Sequence, residues 1–434
     1  MKHQSFSRRT FVRTAAAGVG GLAVARTARS ATNTPGANEK ITMAWIGCGG
    51  QGMAHLHETV KMDDIRVAAV CDVDQSRLDA AAKLVGGDVR ATKDFRHILD
   101  DKSIDGVLVA TPGHWHGIAA IWACRAGKDV YVEKPICHNI KEGRALVEAA
   151  RENKRVVQVG VQQRTSRHWI NAVERIKAGE IGPINMIHVW NAWNTYEMYS
   201  TIGHAEDTDE VPPGVDYDMW LGPAPKRRFN PLRFHGTHYF FWEYGGGMMS
   251  EWAIHLFDVV TWAMGPEIKS VATIGGNHVW KDDRETPDTA VAAFEGPNYT
   301  MTYTLRHGNG WRPHDDMDHG IEFFGADKLL QINRRGFAMY HDRDRTLRKP
   351  LYTESGDTPI WDHKRNFFDC MRSRKQPAAH AEAGHLSSIV GHLANISYRV
   401  GRRIRWDGAS ETIVDDAEAN KLLGRAEYRA PWHL

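Results

Sequence analysis

Hydrophobic positions follow two rhythms along this chain, and the change comes near residue 165. From Ile41 onward, short apolar runs bounded by turn residues read as buried strands: Ile41–Ile46, Ile65–Cys71, Gly106–Ala110, Asp129–Val132 and Val156–Gly160. Between them lie segments with helical spacing, at Met53–Lys61, Leu78–Val85, Asp94–Leu99, Gly117–Ala126 and Ile140–Asn153. Strands alternating with helices at these intervals predict βαβ units, and hence a doubly wound parallel sheet of the α/β class. After residue 165 the alternation stops. A helix (His168–Ala178) and a strand (Ile184–Trp190) lead into a long aromatic segment, Asn191–Tyr239, whose length argues for a functional loop. The spacing then predicts one helix over Met248–Met264 and strands at Ile268–His278, Ala290–Phe294, Tyr299–Arg306, Gly320–Phe324 and Leu329–Asn333. Helices follow at Trp361–Arg372 and Ala381–Val400. Consecutive strands with flanking helices predict an α+β domain with an open, mostly antiparallel sheet. The expected organisation is a first domain over 41–164, a second over 165–404 and a C-terminal tail over 405–434.

Residues 1–40 fit neither rhythm. Ser7-Arg8-Arg9-Thr10-Phe11-Val12-Arg13 is a basic start, Thr14–Ala25 is a weakly apolar Ala/Gly stretch, and Ala28-Arg29-Ser30-Ala31 offers small residues to a processing peptidase. This is the layout of an export signal over 1–31, and the paired arginines resemble the twin-arginine type, which implies the export machinery as a partner and a periplasmic location. A polar linker, 32–40, follows. No apolar run reaches the ~20 residues that span a bilayer, so no integral membrane segment is expected. Lys+Arg 55 against Asp+Glu 53 leaves a net charge of +2, which gives nucleic acid no basic field to bind. Five cysteines, an odd number, cannot form a fully paired disulfide framework.

The first strand runs directly into Gly47-Cys48-Gly49-Gly50-Gln51-Gly52, and a helix follows. Strand, G-x-G-x-x-G and helix in that order form the Rossmann dinucleotide context: Gly47, Gly49 and Gly52 allow the tight turn and the close approach of backbone N–H groups to a pyrophosphate, with Gln51 in the same turn. The second strand ends on Asp72, where a carboxylate accepts hydrogen bonds from the adenosine ribose and repels a 2′-phosphate, which points to NAD. Ligands of such sheets bind at the carboxyl ends of the strands. Thr111, Pro112, His116, Glu133, Lys134 and Arg164 all sit at or just beyond those ends and are expected to contact the cofactor.

Ala110-Thr111-Pro112-x-His114-x-His116 combined with Glu133-Lys134-Pro135 and a later Gly246-Gly247 helix start resembles the Gfo/Idh/MocA oxidoreductases, over roughly residues 41–400. The resemblance implies that Lys134 touches both nicotinamide and substrate, that the peptide before Pro135 is cis, and that the second sheet pairs subunits into a homo-oligomer. Family members often carry Asn where this chain has Gly113. They also show Gly-Gly, then Asp, His four residues on and Asp three further; here these positions are Glu251, His255 and Asp258. On an unbroken helix the three would share one face. His255 is the natural proton acceptor from a sugar hydroxyl as hydride leaves the same carbon. Lys134 can stabilise the developing alkoxide, Glu251 can orient His255 or the substrate, and Asp258 can cap or brace the substrate side. Trp193 and Trp220, in loop context, are candidates for stacking on a sugar face.

His307, His314, Asp315, Asp316, Asp318 and His319 form a dense polar stretch without metal-ligand spacing, so no metal is expected. The leading reading is a periplasmic NAD-dependent oxidoreductase acting on a hydroxyl of a carbohydrate: a sugar, cyclitol or glycoside. Free NAD is scarce outside the cytoplasm, so a nucleotide exported inside the folded protein would be held tightly and recycled. An alternative is an NAD-dependent glycoside hydrolase working by transient oxidation, elimination, hydration and re-reduction. A third is a cofactor-binding sensor without turnover, against which Lys134 and His255 weigh together.

Overall fold

The computed structural model describes residues 40–193, 201–310, 317–343, 349–357 and 360–434. The export segment, the linker up to residue 39, and His314, Asp315 and Asp316 of the polar stretch lie outside the described residues.

The first sheet contains β1 (Ile41–Ile46), β2 (Ile65–Cys71), β3 (Arg90–Thr92), β4 (Gly106–Val109), β5 (Asp129–Val132) and β6 (Val157–Val159), all parallel, in the order β3-β2-β1-β4-β5-β6. Between the strands run α1 (Gly50–Thr59), α2 (Gln75–Val85), α3 (Arg96–Leu99), α4 (Gly113–Arg125) and α5 (Ile140–Glu152). Every residue of β4 and β5 is buried, because helices cover both faces. Val107, Val109 and Val132 pack with Ile118, Ile121 and Leu146, while Trp45, Leu108 and Tyr131 pack with Leu56 and Leu78. Strand β3 escaped the sequence pattern because Arg-Ala-Thr carries no apolar run; it is a three-residue edge.

The second sheet has ten strands. After α6 (Arg167–Lys177) come β7 (Ile184–Trp193), α7 (Tyr217–Leu221), α8 (Gly247–Glu251), α9 (Ile254–Met264), β8 (Ser270–Gly276), β9 (Thr289–Glu295) and β10 (Thr300–His307). Then follow β11 (His319–Gly325), β12 (Lys328–Asn333), β13 (Gly336–His341), β14 (Tyr352–Ser355), α10 (Ile360–Ser373), α11 (Ala381–Val400), β15 (Ile404–Asp407) and β16 (Thr412–Ile413). The order is β14-β13-β12-β11-β7-β10-β9-β8-β15-β16, antiparallel throughout except for the β7–β10 pair. Alternate residues of β9 and β10 enter a core shared with α6, α9 and α11.

Two expectations need correcting. The helix predicted over Met248–Met264 breaks at Trp252-Ala253, giving α8 and α9. Asn191–Tyr239 is not a plain loop: β7 reaches Trp193, and α7 with a 3-10 turn (His235–Phe240) builds a small core around Trp220, Phe229, Phe234 and Tyr244. The chain also crosses back. Phe367 and Phe368 of α10 pack under the first sheet, and Trp432 packs on Phe95, Trp115 and Trp122. All five cysteines are free and buried.

Candidate active site

A cleft of about 610 Å3 opens where the strand ends of the first sheet meet residues of the second half. Its floor is the glycine turn. Gly47 has φ +94°, and a methyl group there would stand 2.5 Å from Ala110 O; one on Gly52 would run into Gly47 O. Over Gly50 there is open space. Glycine is required where α1 is packed tightly onto β1 and β4, and the helix N-terminus is left uncovered towards the cleft, the arrangement that receives a pyrophosphate.

Asp72 is held at the lip by two backbone donors: Cys48 N–H gives to Oδ2 (2.7 Å) and Asp74 N–H to Oδ1 (2.9 Å). Burial raises its pKa, and these two bonds oppose the rise. Each oxygen keeps a lone pair for a ribose hydroxyl. Thr111 Oγ1, beside the cleft, is buried and without a hydrogen-bond partner among the described residues. A glycine cradle, a fixed carboxylate and an orphaned hydroxyl fit a dinucleotide.

Glu133 and His116 contribute mainly as braces. Burial pushes the Glu133 carboxyl up, but the His55 hydrogen bond (2.7 Å) and charge, with Lys134, outweigh it and carry the group down to about 2. Gln51 Nε2 also donates to Glu133 (3.3 Å), so Gln51 and Glu133 tie α1 to the Lys134 loop. His116 lies between Pro135 O and Thr111 O, at 2.7 Å from each, stapling two strand ends; a neutral ring donates to only one at a time. Burial lowers its pKa. Pro112 and His116 line the cleft.

The Lys134–Pro135 peptide is cis. Lys134 Nζ donates to Glu251 O (3.0 Å) and lies 6.0 Å from the Tyr239 ring centre. His255 lines the same end of the cleft, its ring edge-on to Trp252. Burial, then the charges of Arg334 and Lys134, holds its pKa well below the usual histidine range, so the ring is neutral at pH 7. A neutral imidazole beside an ammonium group can accept a hydroxyl proton while the cation steadies the oxygen.

The break between α8 and α9 takes Glu251 off the helix that carries His255 and Asp258. Glu251 turns away from His255, and its Oε1 lies 3.1 Å from where a methyl group on Gly113 or Gly245 would be. Burial pushes this carboxyl up to about 7, against the opposing charge of Lys134. Asp258 and Arg164 were expected at substrate and cofactor; instead they form a buried ion pair in which the Arg164 Nε–H is shared between both Asp258 oxygens (2.8 and 3.0 Å), with Ser387 Oγ donating to Asp258 (2.7 Å). The charge-assisted hydrogen bond holds the Arg164 guanidinium against α9. Trp193 is likewise structural: buried at the end of β7, it stacks edge-on with Trp252 and donates to Asp318 (2.8 Å). Trp220 does line the cleft, and its carbonyl accepts from His114 and Trp115.

Several polar and aromatic cleft residues went unpredicted, among them Arg77, Lys93, Gln162, His235, His238, Tyr239, Trp252 and Arg334. Gln162 lies in the 3-10 turn (Gln162–Thr165) after β6, where the strand-end rule singled out the charged Arg164. Tyr239 comes from the 3-10 turn His235–Phe240 and Arg334 from the turn between β12 and β13, neither of which carries a motif. Among the described residues no group of three or more His, Cys, Asp or Glu side chains could hold a metal ion, and no helix is long and apolar enough to cross a membrane.

Residues 41–161 match the model of an oxidoreductase family's NAD-binding Rossmann fold, and residues 183–300 with 356–434 match that family's C-terminal alpha/beta domain. The chain is 23% identical over 381 residues to scyllo-inositol 2-dehydrogenase (NAD(+)) of Bacillus subtilis (strain 168), covering 85% of this chain and 97% of that one. It is 23% identical over 369 residues to myo-inositol 2-dehydrogenase of Thermotoga maritima, covering 83% and 97%. Among solved structures, the WlbA dehydrogenase of Bordetella pertussis, in complex with NADH and UDP-GlcNAcA, shares the fold with a TM-score of 0.63 at 20% identity, covering 85% of this chain and 99% of that one. With the whole first sheet and strands β7, β8, β9, β15 and β16 of the second inside matched segments, this chain belongs to the Gfo/Idh/MocA family of oxidoreductases and carries the family's NAD-binding domain.

Proposed function

We propose that this protein oxidises a hydroxyl-bearing carbon of a sugar, cyclitol or glycoside. The observation that carries this reading is that Lys134 and His255 line the same cleft, close enough for the ammonium charge to act on the imidazole. Bound NAD supplies the hydride acceptor. His255, neutral at working pH, takes the hydroxyl proton, and Lys134 Nζ, held by Glu251 O, stabilises the developing negative charge on oxygen. Asp72 receives the ribose hydroxyls and favours NAD over NADP by charge. The inositol dehydrogenases among the relatives support a polyhydroxylated ring as substrate. Residues 1–31 direct twin-arginine export to the periplasm; NAD travels inside and is recycled each turnover, the hydride taken from one carbohydrate being returned to the carbonyl carbon of a second, and the outer face of the second sheet pairs with another copy.

Glu251, buried near Lys134 and with its pKa raised to about 7, favours a second reading: a redox-neutral glycoside cleavage would use two acid–base groups. The test is to purify the protein without added nucleotide, extract it with acid, and follow products from candidate cyclitols and aryl glycosides. Retained NAD with a keto product supports oxidation. Release of the aglycone without net NADH selects the cleavage reading. An empty cleft together with turnover only on stoichiometric NAD removes the recycled-cofactor proposal.

A further inference from the structure

The residue that orients His255 is not on its own helix. Its Nδ1 lies 3.2 Å from Gln163 Oε1, and both side chains are buried. Glu251, one turn back in sequence, is carried off by the break at Trp252-Ala253 and faces Gly113 and Gly245 instead. Gln163 comes from the 3-10 turn after β6, the last strand of the first sheet. That turn is fastened to α9 a second time, by the Arg164–Asp258 ion pair, one turn along the helix from His255. Two successive residues of the turn therefore grip two successive turns of α9. The ion pair sets the spacing at which the amide of Gln163 meets the imidazole.

We infer that Gln163 is a positioning residue whose amide oxygen fixes His255 as the tautomer protonated at Nδ1, leaving Nε2 as the proton-accepting atom. An amide oxygen only accepts hydrogen bonds, so the hydrogen between the two residues belongs to His255 Nδ1. The inference rests on the reading of His255 as the base. An amide also differs from a carboxylate in what it does to the ring's charge. The ionisable groups facing His255 are Lys134 from the loop after β5, Arg334 from the turn between β12 and β13, His319 of β11 and His363 of α10. None is an acid, and Gln163 adds no negative charge, so nothing in this set favours the imidazolium. The ring stays neutral and ready to accept a proton well into the acid range.

The test uses the full protein with its nucleotide, labelled with 15N-histidine, His255 being identified by the signals lost in His255→Asn. The expected wild-type spectrum places the His255 proton on Nδ1. In Gln163→Leu the tautomers should mix, and kcat should fall about 10-fold or more with KM little changed, since the lost interaction aligns the base rather than holding substrate. Gln163→Glu keeps an acceptor and should keep the Nδ1 proton, but its charge should move the acid limb of the kcat profile up by about one pH unit or more. A merely structural role for Gln163 would not move that limb. A wild-type proton on Nε2, or an unchanged tautomer in Gln163→Leu, overturns the inference, and the wild-type spectrum decides even where a variant fails to fold. Full turnover in His255→Ala would instead overturn the base reading, while leaving the tautomer result to stand or fall by itself.

Discussion

The two sheets solve the burial problem in opposite ways. In the first, β4 and β5 are buried at every residue, because α4 and α5 cover one face and α1, α2 and α10 the other. In the second, β9 and β10 bury every other residue against α6, α9 and α11, while the outer face keeps Ile274, Val291 and Met186 exposed. The difference shows in what each sheet gives to the cleft. The closed sheet has no free face, so its chemistry is confined to the carboxyl ends of its strands, where Asp72, Thr111 and Lys134 emerge. The half-covered sheet lends its helix layer, and His255 arrives on α9. The site exists only where the edge of one sheet meets the cover of the other.

The largest effects should come from breaking that meeting point. Lys134→Ala and His255→Ala are each expected to lower turnover by about 10²-fold or more, while nucleotide binding, followed by fluorescence titration, persists. If only Lys134→Ala mattered, the chemistry would belong to the first sheet alone. Glu251→Gln should cost less than His255→Ala, since its carboxyl faces Gly113 rather than the imidazole.

Next in size is the return of the chain to the first sheet. Trp432 is 5% exposed and packs against Phe95, Trp115 and Trp122. Trp432→Ala should remove roughly 3 kcal/mol of stability in urea unfolding, within the range for large buried aromatics. An effect below ~0.5 kcal/mol would mean that the last residues are an appendage.

Much of the first sheet and its glycine turn was legible in the sequence, because two-sided burial writes itself as uninterrupted apolar runs such as Val107-Leu108-Val109. Strands β13 and β14 were not, being short, partly exposed hairpin strands with mixed character. The site divides along a similar line. The position in the cleft of residues fixed by a motif at a strand end, such as Asp72 and Lys134, was readable. The roles of Arg164, Asp258 and Glu251 depended on where side chains met in space. Helical spacing placed Glu251, His255 and Asp258 on one face, and a two-residue break at Trp252 removed Glu251 from it while His255 and Asp258 stayed together on α9. Gln163 was hidden because a neutral amide beside a charged Arg164 carries no sequence signal.

A smaller effect concerns Glu251, whose burial lifts its pKa from the ordinary carboxylate range to about 7. The folded state therefore holds a proton that the unfolded chain releases first. Stability should fall as the pH rises from about 4.5 to 7 and level off above, by an amount on the order of 2–3 kcal/mol from this group. Glu251→Gln, which needs no proton, should flatten that part of the stability curve. Urea midpoints measured at pH 5 and pH 7.5 for both proteins decide it; parallel curves would mean that Glu251 is ionised in the fold.

The smallest change in the folded monomer, and the sharpest probe of the open sheet, is at its outer face. Ile274 and Val291 stand opposite each other across β8 and β9, and Ile274 is 75% exposed. Thr304 continues the row on β10. In a lone chain, replacing Ile274 and Val291 by threonine should alter unfolding free energy by no more than about 0.5 kcal/mol each, because little is buried and threonine suits a strand. If this face pairs with a second copy, the same apolar side chains become buried on assembly, and a charge there would be desolvated without a partner. Ile274→Lys with Val291→Lys should then reduce the assembled mass measured by light scattering, while each chain keeps its thermal transition at low concentration. Unchanged mass in the double lysine variant would show that the open face meets only water, and the contrast between the two sheets would end at the monomer.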